Sequence, residues 1–304
     1  MTTTSSGLIH VHLVDGTYEL YRHYFAVPSR RDDEGIEIGA MRGVLNSMLM
    51  LLRDGATHVG VATDHVIESF RNDLYDGYKK GEGIEPDLLV QFHPLEEALR
   101  AMGLVVWAMA EFEADDAMAS AVSRVLGDKR TGRIHICSPD KDLAQCVSAR
   151  RVVMLDRRKN VLMDEKGVRA KFGVSPWSIP DYLAVVGDSA DGYPGVPGWG
   201  AKSAATLLAR YRFLEDIPKD PDKWDVKVRG AARLADSLIE HWDEALLFRE
   251  LSTLRTDAIP PFPLDELEWT GPKPGFDELC ERLGALRLAR GVHELAARRA
   301  AERD

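Results

Sequence analysis

Short apolar runs recur along the first half of this chain, and each gives way to polar residues rich in acids and glycine. Residues 8–15, 58–64, 104–107, 133–138 and 151–155 are dominated by Val, Ile and Leu and read as short buried strands. Between them the apolar positions change to helical spacing, over 39–55, 88–103 and 115–127. The first of these stretches ends at Gly55 and the second at Gly103, where Pro94 either kinks the helix or starts another. The third opens with acids and stops at Gly127, which suits the helix dipole and a glycine C-cap. Strand–helix alternation predicts an α/β fold, a mostly parallel sheet flanked by helices. After about residue 165 the strand pattern stops. EKGVRAKFG, SPWSIPDYLAVVGD, AKSAATLLARYR and DSLIEHWDEALLFRELSTLR read as helices, and a Gly- and Pro-rich loop at 187–200 separates two of them.

The acids follow this pattern. Asp15 and Asp64 each close an apolar run, and Asp140 and Asp142 follow another. Glu113, Asp115 and Asp116 stand at a helix start, while Asp188 and Asp191 lie in the loop GDSADG. In an open α/β sheet the carboxyl ends of the strands line the ligand crevice. Carboxylates gathered there repel one another unless cations bind between them, and all-oxygen sites suit Mg²⁺ or Mn²⁺. The residues therefore point to a divalent-metal site acting on a phosphate-bearing substrate. Singly, Asp116 also reads as a helix N-terminal charge and Asp188 as a loop acid.

Composition adds bounds. The 304 residues are 45% hydrophobic and 29% charged, as in an ordinary soluble globular protein. Cys137, Cys146 and Cys280 lack metal-ligand spacing, and an odd number suits a reduced cytoplasmic protein. The opening MTTTSSG reads as a disordered start (1–7) without a signal-peptide core, and no stretch is apolar enough for a membrane span. A net charge of −10 argues against nucleic acid unless metals offset the acids. Local basic clusters remain at Arg71 with Lys79 and Lys80, at Arg157–Lys159, at Arg210 with Arg212, and in the arginine-rich last residues. Each reads alternatively as a solvated surface, and the C-terminal stretch as either a recruitment helix or a solvated one.

Two further motifs bear on phosphate. In GVPGWGAKSAA (195–205), Gly198 and Gly200 allow a tight turn with positive φ, ahead of a helix whose free N–H groups suit a phosphate. Lys202 adds charge there and Ser203 a hydroxyl. Such a hairpin grips a nucleic-acid backbone without reading bases; an ordinary helix connection is the other reading. In FRNDLYDGYKK (70–80), Arg71, Lys79 and Lys80 are spaced to share a helix face among Phe70, Tyr75 and Tyr78. That mixture serves stacking and phosphate contact, or else an amphipathic surface helix.

These residues, with LVDGTYELYRHYFA (13–26), VATDHVIESFRNDLYDGYK (61–79), EFEADDAMAS (111–120), SPDKDLAQCV (138–147), the long stretch 171–208 and RELSTLRTD (249–257), carry a resemblance. The chain resembles the 5′ nucleases of the flap endonuclease superfamily, including the bacterial 5′-3′ exonucleases and the N-terminal domain of polymerase I. The resemblance implies a PIN-like α/β nuclease domain over 8–165, with a helical arch around 70–95. A helical region containing a helix-hairpin-helix element would follow over 166–304. It also implies a first metal held by Asp15, Asp64, Glu113 and Asp115, and a second held by Asp140, Asp142 and Asp191 with Asp115 near both. Asp116 and Asp188 would assist. Arg71 and Lys79 would contact the scissile phosphate. Tyr21 would stack on the terminal base, and Gly198, Gly200 and Lys202 would grip the duplex, with K⁺ at the hairpin; Tyr78, Lys80 and Ser203, read from their own motifs, are further candidates for DNA contact. The substrates implied are DNA 5′ ends and flaps, or RNA–DNA hybrids at primers, cut by a monomer working beside replication or repair proteins.

The sequence departs from the family pattern in places. Pro139 replaces a glycine in SPDKD, and the arch reads KKGEGIEP, in which an expected arginine is absent and Glu82 and Glu85 stand nearby. The resemblance extends to no polymerase domain, so the expectation is a free-standing nuclease or a relative of one. Two other classes stay open: a DNA-structure-binding protein with weakened catalysis, and a metal-dependent phosphatase for small phosphoesters. Retention of all nine acids disfavours the first. The Asp-Gly-Thr at Asp15, which lacks the second acid of a phospho-aspartate enzyme, disfavours the second.

Overall fold

The computed structural model describes residues 7–81 and 83–302; Glu82 and most of the expected disordered start lie outside them. The chain forms two compact units, each built from separated segments. The first comprises Met1–Ile67, Gly81–Ser138 and Thr256–Asp304, the second Glu68–Lys80 and Pro139–Arg255.

The first unit is built on four parallel strands: β1 (Ile9–Asp15), β2 (His58–Asp64), β3 (Val105–Met109) and β4 (Thr131–Cys137). β1 pairs with β2 and with β4, and β2 pairs with β3, all parallel, in the order β3-β2-β1-β4. Val11, Leu13 and Val14 of β1 and Val59, Val61 and Ala62 of β2 are buried. That agrees with the near-continuous apolar runs of a parallel sheet covered on both faces. Because the strands are parallel and in register, Asp15 and Asp64 stand at the same, carboxyl end of adjacent strands, Asp15 opposite Ala62 and Asp64 opposite Met109.

Helices Gly39–Arg53 and Ala114–Leu126 form where their spacing predicts. The stretch 88–103 instead divides into Pro86–Leu89 and Phe92–Ala101. Gln91 sits at the break, accepting from Met41 N and donating to Asp87 O. Pro94 falls in the first turn of the second helix, where its missing N–H costs nothing, so it begins that helix rather than kinking a longer one. Gly55 (φ 104°) and Gly103 (φ 93°) end helical stretches in the left-handed region, whereas Gly127 ends its helix right-handed at φ −73° and supplies no left-handed cap.

The arginine-rich C-terminus is neither free nor simply solvated. Helix Leu286–Ala301 buries Leu288, Val292 and Leu295. Arg299 donates to Leu52 O, in the last turn of helix Gly39–Arg53, and to Ala56 O beyond it at 2.9 Å.

The second unit carries an antiparallel hairpin, β5 (Val152–Asp156) and β6 (Val161–Met163). β6 was not legible as a strand. Arg158 and Lys159 occupy the hairpin turn, where their N–H groups bond to Asp156. The rest of the unit is helical: Glu165–Phe172, Ile179–Val186, Ala201–Tyr211, Ala231–Glu240 and Trp242–Ser252. The observed class is the expected one, α/β with a mostly parallel sheet and a helical C-terminal region.

Candidate metal centre

In the first unit the acids gather where strands end and one helix begins. Asp15 accepts from Tyr18 N at 2.8 Å and from the Ser138 hydroxyl at 2.9 Å. Asp64 takes Thr17 Oγ1 on its own N–H and accepts from Ala114 N at 2.8 Å, which ties the end of β2 to the start of helix Ala114–Leu126. Glu113 is the cap of that helix, and the buried Asp116 accepts from Glu113 N at 3.0 Å. Asp116 thus serves as the helix's capping acid and holds Glu113 in place. Asp115 follows in the first turn.

The second unit holds a tighter group. Carboxylate oxygens of Asp142, Asp188 and Asp191 lie within 4.8 Å of one another. Asp142 and Asp188 are buried and Asp191 half-buried. Asp140, at the surface, accepts from Asp142 N at 3.0 Å. Burial pushes the Asp142 carboxyl well above the usual range, and the neighbouring charges of Asp140, Asp191 and Asp188 push it the same way, while Lys79 pulls it back. Among the described residues its buried Oδ1 has no hydrogen-bond partner. A buried carboxylate oxygen left unpaired among other acids is unfavourable unless something cationic joins it. Lys141 Nζ lies 2.6 Å from Asp188 and Lys79 Nζ 3.1 Å from Asp191. Lys79 N also donates to Asp191 O, which fixes the loop to that segment. Asp188 and Asp191 thus each pair with a lysine, while among the described residues nothing bonds to Asp142 Oδ1. An oxygen-only donor set with an orphaned buried oxygen fits a hard divalent cation.

Other expected residues fall differently. The helix at Phe70 runs only to Leu74, because the Tyr75–Tyr78 turn closes it. Arg71, Lys79 and Lys80 therefore share no helix face. Arg71 is 1% exposed and donates from Nε to Leu251 O at 2.6 Å and from Nη2 to Thr253 O at 3.3 Å. Held so, it anchors its segment. Tyr78 is buried. Lys79 is half-buried and Lys80 exposed. Over 70–95 the described residues form short helices, Phe70–Leu74 and Pro86–Leu89, before Phe92 begins the next.

Tyr21 is half-buried, edge-on to Phe92. At the hairpin, Gly198 has φ +81°. Gly200, at φ −151°, is extended backbone that any residue adopts. The Ser203 hydroxyl accepts from Gly200 N and donates to Gly200 O, capping the helix rather than standing free. Lys202 is exposed. Lys141 was not foreseen: its bond to Asp188 spans the chain, and only its place between Asp140 and Asp142 hinted at it.

Residues 10–173 match the 5′-3′ exonuclease N-terminal resolvase-like domain, and residues 174–275 match the 5′-3′ exonuclease C-terminal SAM fold. The chain belongs to the 5′-3′ exonuclease family. It is, with that family, a nuclease. The 5′-3′ exonuclease of Aquifex aeolicus is 30% identical over 280 residues, covering 91% of this chain and 92% of that one. The DNA polymerase I of Rhizobium leguminosarum is 37% identical over 270 residues, 85% of this chain but 26% of the polymerase. The chain thus spans about a quarter of the length of that relative. Bacteriophage T5 flap endonuclease, solved as a pseudo-enzyme-product complex with DNA and metal ions, shares the fold of this 5′-3′ exonuclease family member. The two superpose with a TM-score of 0.65 at 18% identity, covering 92% of this chain and 99% of that one.

Proposed function

We propose that this chain is a divalent-metal-dependent 5′-3′ exonuclease and 5′-flap endonuclease, hydrolysing phosphodiester bonds at DNA 5′ ends. The observation that carries this reading is the Asp142–Asp188–Asp191 group, with its orphaned buried oxygen, in a chain of this family. Asp140, Asp142 and Asp191, assisted by Asp188, would hold one cation, and Asp15, Asp64, Glu113 and Asp115 another, Mg²⁺ or Mn²⁺ in each case. When bound, such ions supply Lewis acidity toward the phosphodiester and lower the pKa of the attacking water.

The chain's own groups do the rest. Asp116 and Ala114 N hold Glu113 and Asp64 in fixed orientation. Lys79, its backbone N–H tied to the Asp191 carbonyl, places a cation beside the acids where a scissile phosphate would gain negative charge. Arg71 supports Lys79 at one remove by anchoring the segment 68–80. In the region 166–304, Gly198 and Lys202 would bind the duplex backbone, without base readout.

The test is a 5′-flap duplex labelled at either end, incubated with the protein in Mg²⁺, Mn²⁺ or EDTA. Junction cleavage or stepwise release from the 5′ end, in metal alone, is the expected result. Binding without cleavage in both metals would contradict it.

A further inference from the structure

We propose that Trp177, with the arginines packed on it, and the exposed Phe213 that follows Arg212 in the chain form a contact for unpaired nucleic-acid strand, additional to the acidic site. This rests on the nucleic-acid reading above. Trp177 lies in the turn Pro176–Ser178, leading into helix Ile179–Val186, and is 44% exposed. Two guanidinium groups sit against its ring: Arg169 at 5.6 Å from the centroid and Arg212 at 5.4 Å. Both are within the range where the ring quadrupole attracts a cation. Phe213, the residue after Arg212, is 40% exposed. Two large aromatics left in water on one unit give up hydrophobic stabilisation that burial would supply.

The backbone adds an independent sign. Arg212 has φ 72° and ψ −56°, and Phe213 N donates to Tyr211 O at 3.0 Å. This is the rare γ-turn with positive φ at its centre, a strained form. Glycine takes such a conformation freely, and an arginine does not. Strain of this kind persists where a side chain's position matters. Here it follows directly on helix Ala201–Tyr211 and brings Arg212 to Trp177. Arg169 is partly neutralised by Glu165 at 2.9 Å, whereas Arg212 has no acidic partner among the described residues.

The ligand class follows from the chemistry. The chain carries a net charge of −10, so a cationic aromatic patch is a local exception. Aromatic faces beside guanidinium groups match single-stranded nucleic acid, whose bases stack and whose phosphates pair with arginine. A duplex hides its base faces, so the patch selects unpaired strand.

Anisotropy of a labelled oligothymidylate and of a blunt duplex, each titrated with wild type, Trp177→Ala and Arg212→Gly, tests this. Single-strand affinity should fall about tenfold in each variant, a typical loss for one stacking contact. Duplex affinity should stay within about twofold, and Arg212→Gly should show a shallower salt dependence on the oligothymidylate. Arg212→Gly relieves the strained turn, so its melting temperature should match or exceed wild type, and a binding loss then cannot be unfolding. Unchanged single-strand affinity in both variants would overturn the proposal, as would equal losses on duplex and single strand. Sensitivity of poly-glutamate binding alone would assign the patch to an acidic protein and overturn it too. Wild type that neither binds nor cuts any DNA would defeat the underlying functional reading. Wild type that cuts a flap duplex, with variants binding normally, would defeat this inference alone.

Discussion

Asp142→Asn probes the acidic group directly, because it removes one charge and keeps the shape. Three carboxylates with oxygens within 4.8 Å repel pairwise. At an effective dielectric of about 20, two unit charges at that separation interact by roughly 3 kcal/mol. Lys79 and Lys141 already offset part of this through Asp191 and Asp188. Burial also holds the Asp142 carboxyl above its usual range, so the ionised form is the costly one. Neutralising Asp142 should therefore raise stability without metal by about 1–3 kcal/mol, the part of the repulsion that the lysines leave uncompensated. Divalent metal reverses the order. A cation bound to the folded state at one hundred times its Kd adds about 2.7 kcal/mol to wild type, and the amide forfeits most of that. Thermal melts of both proteins in EDTA and across a Mg²⁺ titration read this out. The expected pattern is a higher melting point for Asp142→Asn in EDTA and a larger Mg²⁺ response for wild type. A variant less stable than wild type in EDTA, or equally responsive to Mg²⁺, would refute the reasoning.

Arg71→Met should destabilise the protein by roughly 3 kcal/mol, since it strands the Leu251 and Thr253 carbonyls beside a buried apolar chain. Urea unfolding measures this, and a stable variant with cleavage abolished would instead return Arg71 to the phosphate. His135 gives an acid limb. Burial, with His10 and Arg133 nearby, lowers its imidazole pKa to about 4, and His12 stacks on it at 4.6 Å. The folded state thus favours neutral imidazole, so stability is full above the unfolded pKa of about 6.5. It falls as pH drops toward 4, by up to about 3 kcal/mol. His135→Leu should flatten that limb in melts between pH 7 and 4, and an unchanged limb would exclude His135 as its source.

What the sequence discloses here is local. Asp15 and Asp64 could be placed because an apolar run and the acid that ends it are adjacent, and parallel register then brings the two acids to one edge. Glu113 and Asp116 were legible through helix-start chemistry within a few residues. The burial of Arg71 and Tyr78 is not legible from spacing, because it depends on distant chain. The carbonyl that holds Arg71 Nε lies 180 residues further along. The pairing of Lys141 with Asp188 and the anchoring of Arg299 on Leu52 and Ala56 are likewise invisible to spacing. The hairpin at Gly198 was half legible: glycine content suggested positive φ, but only one of the two glycines uses it.

The central claim is that this chain's acids support metal-dependent cleavage of DNA 5′ ends. It is tested most directly by single-turnover cleavage of a labelled 5′-flap duplex by wild type and Asp115→Ala in Mg²⁺, with binding measured alongside. The account predicts cleavage by wild type that EDTA abolishes, and an Asp115→Ala protein that binds the duplex but leaves it intact. Full cleavage by Asp115→Ala, or wild-type cleavage that persists in EDTA, would contradict it.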